Sequence, residues 1–119
     1  GSIYGKTKLF FSGITDILIL AILCEQDSYV YEIVKFIKEK SNGCLSISQN
    51  TVYAVTYKLV NEENQEYSKL VGKKRTRIYY HIETKGRAYY ENLLESFHNA
   101  YSGVESILNI LKEDKGNEQ

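Results

Sequence analysis

Hydrophobic positions recur along the chain with helical spacing, in segments that short polar breaks separate. The first segment contains the uninterrupted apolar run Ile17–Leu23. This run predicts a helix that starts at Thr15 or Asp16, ends near Glu25 and is buried on most sides. It is far shorter than the roughly 20 apolar residues that cross a bilayer, so we expect no membrane span.

Two amphipathic helices are predicted next. Ser28 is the expected N-cap of the second helix, and Ser41-Asn42-Gly43 supplies the left-handed residues that end it. Ser48 is the expected N-cap of the third helix, which runs from Gln49 to about Glu63. The core-facing positions are Val30, Ile33, Val34 and Ile37 in the second helix, and Val52, Val55 and Leu59 in the third.

A basic β-hairpin follows the third helix in this prediction. Two β-prone runs, Tyr67–Val71 and Arg77–Ile82, flank the Gly-containing loop 72–76, and the second run alternates apolar and polar residues. The tip has no acidic residue between Ser68 and His81. Its cations are Lys69, Lys73, Lys74, Arg75 and Arg77.

A long final helix is predicted from Thr84 or Glu83 to about Lys112, followed by a disordered tail at 114–119. Its apolar residues keep a heptad spacing, which is typical of a helix that pairs with a second helix. We therefore predict a homodimer through this helix. The seam is Tyr90, Leu94, Phe97, Tyr101, Val104, Leu108 and Leu111.

Composition limits the possible functions without selecting one. The 119 residues are enough for one domain, and 15 basic residues balance 15 acidic ones, so only the distribution of charge is informative. Cys24 and Cys44 form no CxxC pair and no export signal is apparent, which predicts a reduced, cytoplasmic protein. With two histidines, no phosphate-binding loop and no nucleophile motif, we expect no metal, no cofactor and no enzymatic activity.

The order of elements predicts a mainly α fold with a small β-hairpin, a winged helix-turn-helix followed by a dimerisation helix. Residues 1–83 form the DNA-binding domain with its N-terminal helix, and 84–113 form the dimerisation helix. The third helix would read base edges in the major groove while the hairpin tip follows the phosphates. The expected DNA contacts are Ser48, Gln49, Asn50, Thr51, Tyr53, Tyr57, Lys58, Lys73, Lys74, Arg75 and Arg77.

The chain resembles the PadR family of transcriptional regulators, in particular its compact, LmrR-like subfamily with a single C-terminal helix. The resemblance covers roughly Ile14 to Lys112. It is carried by Asp16–Leu23, Tyr29–Ile33, Thr51–Tyr53, Arg77–Tyr80 and Thr84–Gly86, in the order and spacing of that family.

The resemblance implies a dimeric repressor of transcription. Some compact members bind flat, apolar cations between the two long helices, where an aromatic pair encloses the ligand. Phe97 stands at that aromatic position and Tyr101 lies one turn further on, so both are candidate ligand contacts. Packing in the dimer seam is the simpler role for the same two residues.

Two other interpretations stay open. One is a winged-helix module that binds a protein instead of DNA, because the net charge is zero and Glu62, Glu63 and Glu66 lie close to the basic tip in sequence. The other is a multidrug sensor whose main site is the pore of the dimer. DNA binding with a salt dependence, or the binding of a flat dye, would separate them.

Overall fold

Four α-helices run through the part of the chain that the computed structural model describes. The described backbone is 2–61 and 77–117, with side chains at 13–60 and 77–114. The helices are α1 (Ser2–Glu25), α2 (Val30–Lys40), α3 (Gln49–Asn61) and α4 (Thr84–Asn117). The mainly helical class and the order of the helices are thereby confirmed. Within 2–61 and 77–117, no helix combines the length and the hydropathy that a membrane span requires.

The core lies where α1, α2 and α3 meet. Ile19 and Leu20 of α1, Ile33 of α2 and Val52 of α3 are almost completely removed from solvent. Burial of each such side chain stabilises the fold by about 1.5–3 kcal/mol. The start of α4 packs on this core through Tyr89, Tyr90 and Leu93, which are partly buried. One face of α3 is thus packed in the core, and its other face is exposed to solvent.

Helix α1 is longer than the apolar run predicts. It begins at Ser2, so neither Thr15 nor Asp16 caps it, and both lie buried within it. An N-cap residue has non-helical backbone angles, so a residue in the interior of a helix cannot cap it. The residues before Thr15 are already helical, so the predicted start was wrong while the predicted end at Glu25 is confirmed.

The start of α2 differs from the prediction by one residue. Tyr29, not Ser28, is the N-cap, and the Tyr29 amide donates to the Glu32 carboxylate at 3.2 Å. Ser28 is unavailable because its backbone pairs with Tyr80. The predicted end is confirmed, since Asn42 and Gly43 both have positive φ, 55° and 79°, and the Gly43 amide donates to the Lys38 carbonyl at 2.8 Å.

The predicted hairpin falls only partly within the described residues. Residues 77–83 contain no β-strand, and Tyr80 instead makes an isolated antiparallel bridge with Ser28. In that bridge the Tyr80 amide donates to Ser28 at 2.9 Å and the Ser28 amide donates back at 3.2 Å. The run Tyr67–Val71 and the tip with Lys73, Lys74 and Arg75 lie outside the described residues. The hairpin itself therefore stays a prediction.

Helix α4 begins at Thr84, as predicted, and continues to Asn117, about one turn beyond the predicted end at Lys112. Residues 114–117, predicted as part of a disordered tail, thus belong to the helix. Glu and Lys favour helix, and nothing at 113–115 interrupts it. Gly103 leaves the helix unbroken, and a Cβ there would meet no atom within 4 Å.

Candidate nucleic-acid interface

Helix α3 has one buried and one exposed face. Val52, Thr56 and Leu59 are buried, whereas Tyr53 is 51% and Tyr57 74% exposed. Gln49 and Asn50 are exposed at the first turn of the same helix. The structure therefore brings Gln49, Asn50, Tyr53 and Tyr57, all predicted contacts, to the outer side of one rigid helix.

Ser48 and Thr51 are engaged with each other at the start of α3. The Ser48 hydroxyl accepts a hydrogen bond from the Thr51 amide at 3.1 Å, and the two hydroxyls lie 3.0 Å apart. The predicted N-cap at Ser48 is confirmed. In this structure the two side chains hold the first turn of the helix together, and Thr51 is only half-exposed.

Replacing Ser48 with alanine is expected to lower the free energy of unfolding by about 1 kcal/mol, because the Thr51 amide loses its acceptor. Urea denaturation followed by circular dichroism would measure this change. Ser46→Ala is the matched control, since Ser46 is an exposed serine two residues earlier. A loss that is equal in the two variants would contradict a capping role for Ser48.

Lys58 lies on the flank of α3 and is held by α1. Its Nζ atom is 2.6 Å from Asp16 Oδ2, with the Lys58 side chain 44% and the Asp16 side chain 10% exposed. The other oxygen, Asp16 Oδ1, is buried and has no hydrogen-bond partner among the described residues. The structure thus joins Lys58, predicted as a DNA contact, to a buried carboxylate 42 positions earlier in the chain.

Thr56 is a core residue that hydrophobic spacing does not reveal. It is buried, and its hydroxyl donates to the Val52 carbonyl at 2.9 Å and lies 3.0 Å from the Tyr53 carbonyl. Bonding to the preceding turn satisfies a threonine hydroxyl inside a helix without a tertiary partner. The buried face of α3 is therefore wider than its aliphatic residues alone predict.

Arg77 packs on the start of α2. Its guanidinium carbon lies 4.7 Å from the centre of the Tyr29 ring, and the Tyr79 ring meets Tyr29 edge-on at 5.2 Å. A cation over an aromatic face contributes about 0.5–1 kcal/mol at an exposed site. These contacts fix the segment after the predicted wing tip against α2.

A second contact holds the same segment. His81 Nδ1 lies 2.7 Å from Asp27 Oδ1, next to the bridge between Ser28 and Tyr80. Arg77, a predicted DNA contact, is consequently the first residue of a short stretch whose position is fixed by residues 27–29. The sequence signal for this arrangement was weak, because the partners are about 50 positions apart.

The outer half of α4 exposes a broad apolar surface. Tyr101, Val104, Leu108 and Leu111 of the predicted seam are all more than half exposed. Ile107 and Ile110 are exposed to the same degree and were not predicted as part of the seam. Tyr90, at the other end of the seam, packs against the chain's own core, and Leu94 and Phe97 are half-buried.

The two candidate ligand contacts lie next to each other on α4. The ring centres of Phe97 and Tyr101 are 6.1 Å apart with the planes tilted by 32°. His98 lies 5.5 Å from Phe97, measured between ring centres. The rings of Phe97, His98 and Tyr101 thus form one aromatic cluster on the surface of α4.

The two thiols differ in their surroundings. Cys24 is half-buried, whereas Cys44 is exposed. Burial raises the pKa of the Cys24 thiol, and this effect outweighs the opposing positive charge of Arg87. Burial also raises the pKa of the nearby Tyr90 hydroxyl. Among the described residues no group of three His, Cys, Asp or Glu side chains is placed to hold a metal ion.

Cys44 is expected to react with Ellman's reagent at pH 8 faster than Cys24, because the thiolate is the reacting form and burial disfavours it at Cys24. Stopped-flow absorbance would resolve the two phases, and Cys44→Ser should remove the fast phase. In urea the two thiols should react alike. A fast phase that survives in Cys44→Ser would contradict this assignment.

Residues 19–92 match the transcriptional regulator PadR-like family. A transcriptional regulator of known structure from Clostridium thermocellum is 31% identical, with a TM-score of 0.72, over 82% of this chain and 92% of that one. An uncharacterised protein of Lysinibacillus sphaericus is 32% identical over 102 residues, which is 85% of this chain and 90% of the relative. Bacillus subtilis PadR, solved in complex with operator DNA, shares the fold at 20% identity and a TM-score of 0.59, over 68% of this chain and 47% of that one.

Proposed function

The chain belongs to the PadR-like family of transcriptional regulators, and we propose that it acts as a homodimeric, sequence-specific DNA-binding repressor. The family consists of regulators, not enzymes, in agreement with the expected lack of enzymatic activity. The DNA-bound state of Bacillus subtilis PadR supports duplex DNA as the partner.

The observation that carries the proposal is the exposed face of α3. Gln49 and Asn50 stand at its first turn, where a helix that enters the major groove meets base edges. Their amide groups can form paired hydrogen bonds with adenine. Tyr53 and Tyr57 continue the face with hydroxyls suited to phosphates. Arg77, fixed on Tyr29, would lie beside the predicted basic wing tip.

The outer half of α4 supports a homodimer. Six apolar side chains at 101–111 are more than half exposed, which is costly for an unpaired helix in water. A second copy offers the same stripe, and two such helices cover each other by heptad packing. The dimer would then present two α3 helices to two half-sites and exclude polymerase from the bound promoter.

Selection from a random-sequence duplex library tests the proposal. The purified protein should enrich an inverted repeat, and fluorescence anisotropy should show binding that is tighter than to unrelated DNA and weakens steeply with salt. Two chains should bind each duplex. Failure to enrich any sequence, together with no binding at low salt, would favour the protein-interaction module. When the selected site is placed in the promoter of a reporter gene, expression of the reporter should decrease in the presence of the protein.

We include a small, flat, apolar cation as a proposed effector, because the Phe97 and Tyr101 rings lie 6.1 Å apart on the dimer helix. Phe97→Ala is expected to weaken the binding of a flat cationic dye such as ethidium by about ten-fold, through lost stacking from both chains. Phe97→Tyr is the control and should keep the affinity. Dye quenching measured against dimer concentration decides this, and equal affinity of Phe97→Ala and the wild type would remove Phe97 from the site.

A further inference from the structure

An ion pair joins α1 to α3, and the proposed role of α3 in contacting DNA does not explain it. Asp16 is almost fully buried, its Oδ2 atom is 2.6 Å from Lys58 Nζ, and its Oδ1 atom has no hydrogen-bond partner among the described residues. Lys58 therefore supplies much of the stabilisation of this carboxylate. A buried charge that loses its partner is strongly destabilising.

The position of Lys58 on α3 turns it away from the reading face. It lies five residues after Tyr53, which places it about 140° around the helix from that side chain. The Lys58 side chain is 44% exposed, and its Nζ atom lies against Asp16 of α1. To reach a phosphate, Lys58 would have to leave Asp16, and the cost of the unpaired buried carboxylate exceeds the gain from one screened phosphate contact.

Helix α1 also connects to α4, the proposed dimer helix. The Arg87 guanidinium on α4 donates to the Cys24 carbonyl at the end of α1, at 3.3 Å, and Tyr89, Tyr90 and Leu93 pack on the core that contains α1. Asp16 and Cys24 lie on one continuous helix, about 12 Å apart along its axis. Helix α1 is therefore the physical link between the helix that reads DNA and the helix that pairs the two chains.

We propose that Asp16 is a positioning residue for DNA binding, which holds Lys58 against α1 and thereby sets the separation between the two α3 helices of the dimer. The inference rests on the proposed function. Lys58 then has a structural role and does not contact DNA. The preferred spacing between half-sites is determined by an ion pair that touches no base. Specificity then depends in part on a contact between two helices of the protein.

The test uses the full chain and the duplex selected by the wild type, with derivatives that have one or two base pairs added or removed between the half-sites. Asp16→Asn and Lys58→Gln should each weaken binding to the best duplex by about ten-fold and flatten the preference for its spacing. Neither should change the slope of affinity against salt. The double variant should be no weaker than the weaker single variant, and Lys58→Arg should restore the spacing preference. Lys85→Gln is the control for loss of an exposed lysine.

Thermal unfolding shows whether each variant is folded at the assay temperature. If Asp16→Asn is unfolded there, the comparison of Lys58→Gln with Lys58→Arg tests the proposal. The proposal is overturned if Lys58→Gln lowers the salt slope by about two per dimer with an unchanged spacing preference, which would make Lys58 a phosphate contact. Unchanged or tighter binding by Asp16→Asn would also overturn it. Failure of the wild type itself to select a duplex would instead refute the proposed function, and the inference with it.

Discussion

Replacing Leu108 and Leu111 by glutamate is expected to leave the protein monomeric and to weaken operator binding by about three orders of magnitude. Both leucines lie on the apolar stripe of α4 and are 54% exposed in the single chain. In the proposed dimer the substitutions would bury four carboxylates close to one another with no basic partner in the seam, which is strongly unfavourable. A monomer would still read one half-site through α3 but would lose the second, tethered binding event.

Sedimentation velocity and anisotropy with the selected duplex would measure the two effects together. The matched control carries glutamate at Ser106 and Asn109, which lie on the opposite side of α4 and are exposed. It has the same added charge and should remain a dimer with nearly wild-type affinity. If the Leu108/Leu111 variant remains a dimer, the dimer interface lies elsewhere. If it is a monomer with full affinity, DNA binding does not require dimerisation.

Local signals in the sequence were sufficient where a feature depends on neighbours in the chain. The Ser48 cap and the turn at Asn42 and Gly43 each involve residues within five positions, and both are as predicted. Of the predicted heptad seam of α4, the residues from Tyr101 onward are exposed, and their role in a dimer stays a prediction. Heptad positions alone, however, describe a narrow seam, so Ile107 at its edge and Ile110, about 100° around the helix from Leu111, were missed.

Features that depend on distant residues could not be read from local patterns. Ser28 has the chemistry of an N-cap, but its backbone is committed to Tyr80, 52 positions later. Lys58 has the appearance of a solvated cation on a reading helix, but it pairs with Asp16. In both cases a tertiary contact takes precedence over a local propensity. Asp16 itself looked like a cap, and only its burial shows that it needs a cation.

Residues 77–80, which directly follow the predicted wing tip in the chain, are held by contacts with Ser28 and Tyr29. Arg77 rests on Tyr29, and Tyr80 pairs with Ser28 immediately before the N-cap of α2. A cationic loop that leaves a fixed base loses less conformational freedom on reaching the phosphates than a free tail does. If the tip lies on the phosphates as predicted, we expect Lys73, Lys74 and Arg75 to contribute a large share of the electrostatic affinity.

Neutralising Lys73, Lys74 and Arg75 with glutamine is expected to reduce the salt slope of operator binding by up to about five, since a dimer loses six cations and each phosphate contact contributes about 0.9. At 0.1 M salt this predicts an affinity loss of several orders of magnitude, similar for the selected and the unrelated duplex, because phosphate contacts carry no base information. Anisotropy titrations at several salt concentrations would measure the slope directly. The control variant changes Lys40, Lys85 and Lys112, three exposed lysines outside the predicted wing, to glutamine and should keep the wild-type slope. A slope that stays the same in the wing variant would exclude the tip from the interface and leave α3 and Arg77 as the proposed DNA contacts.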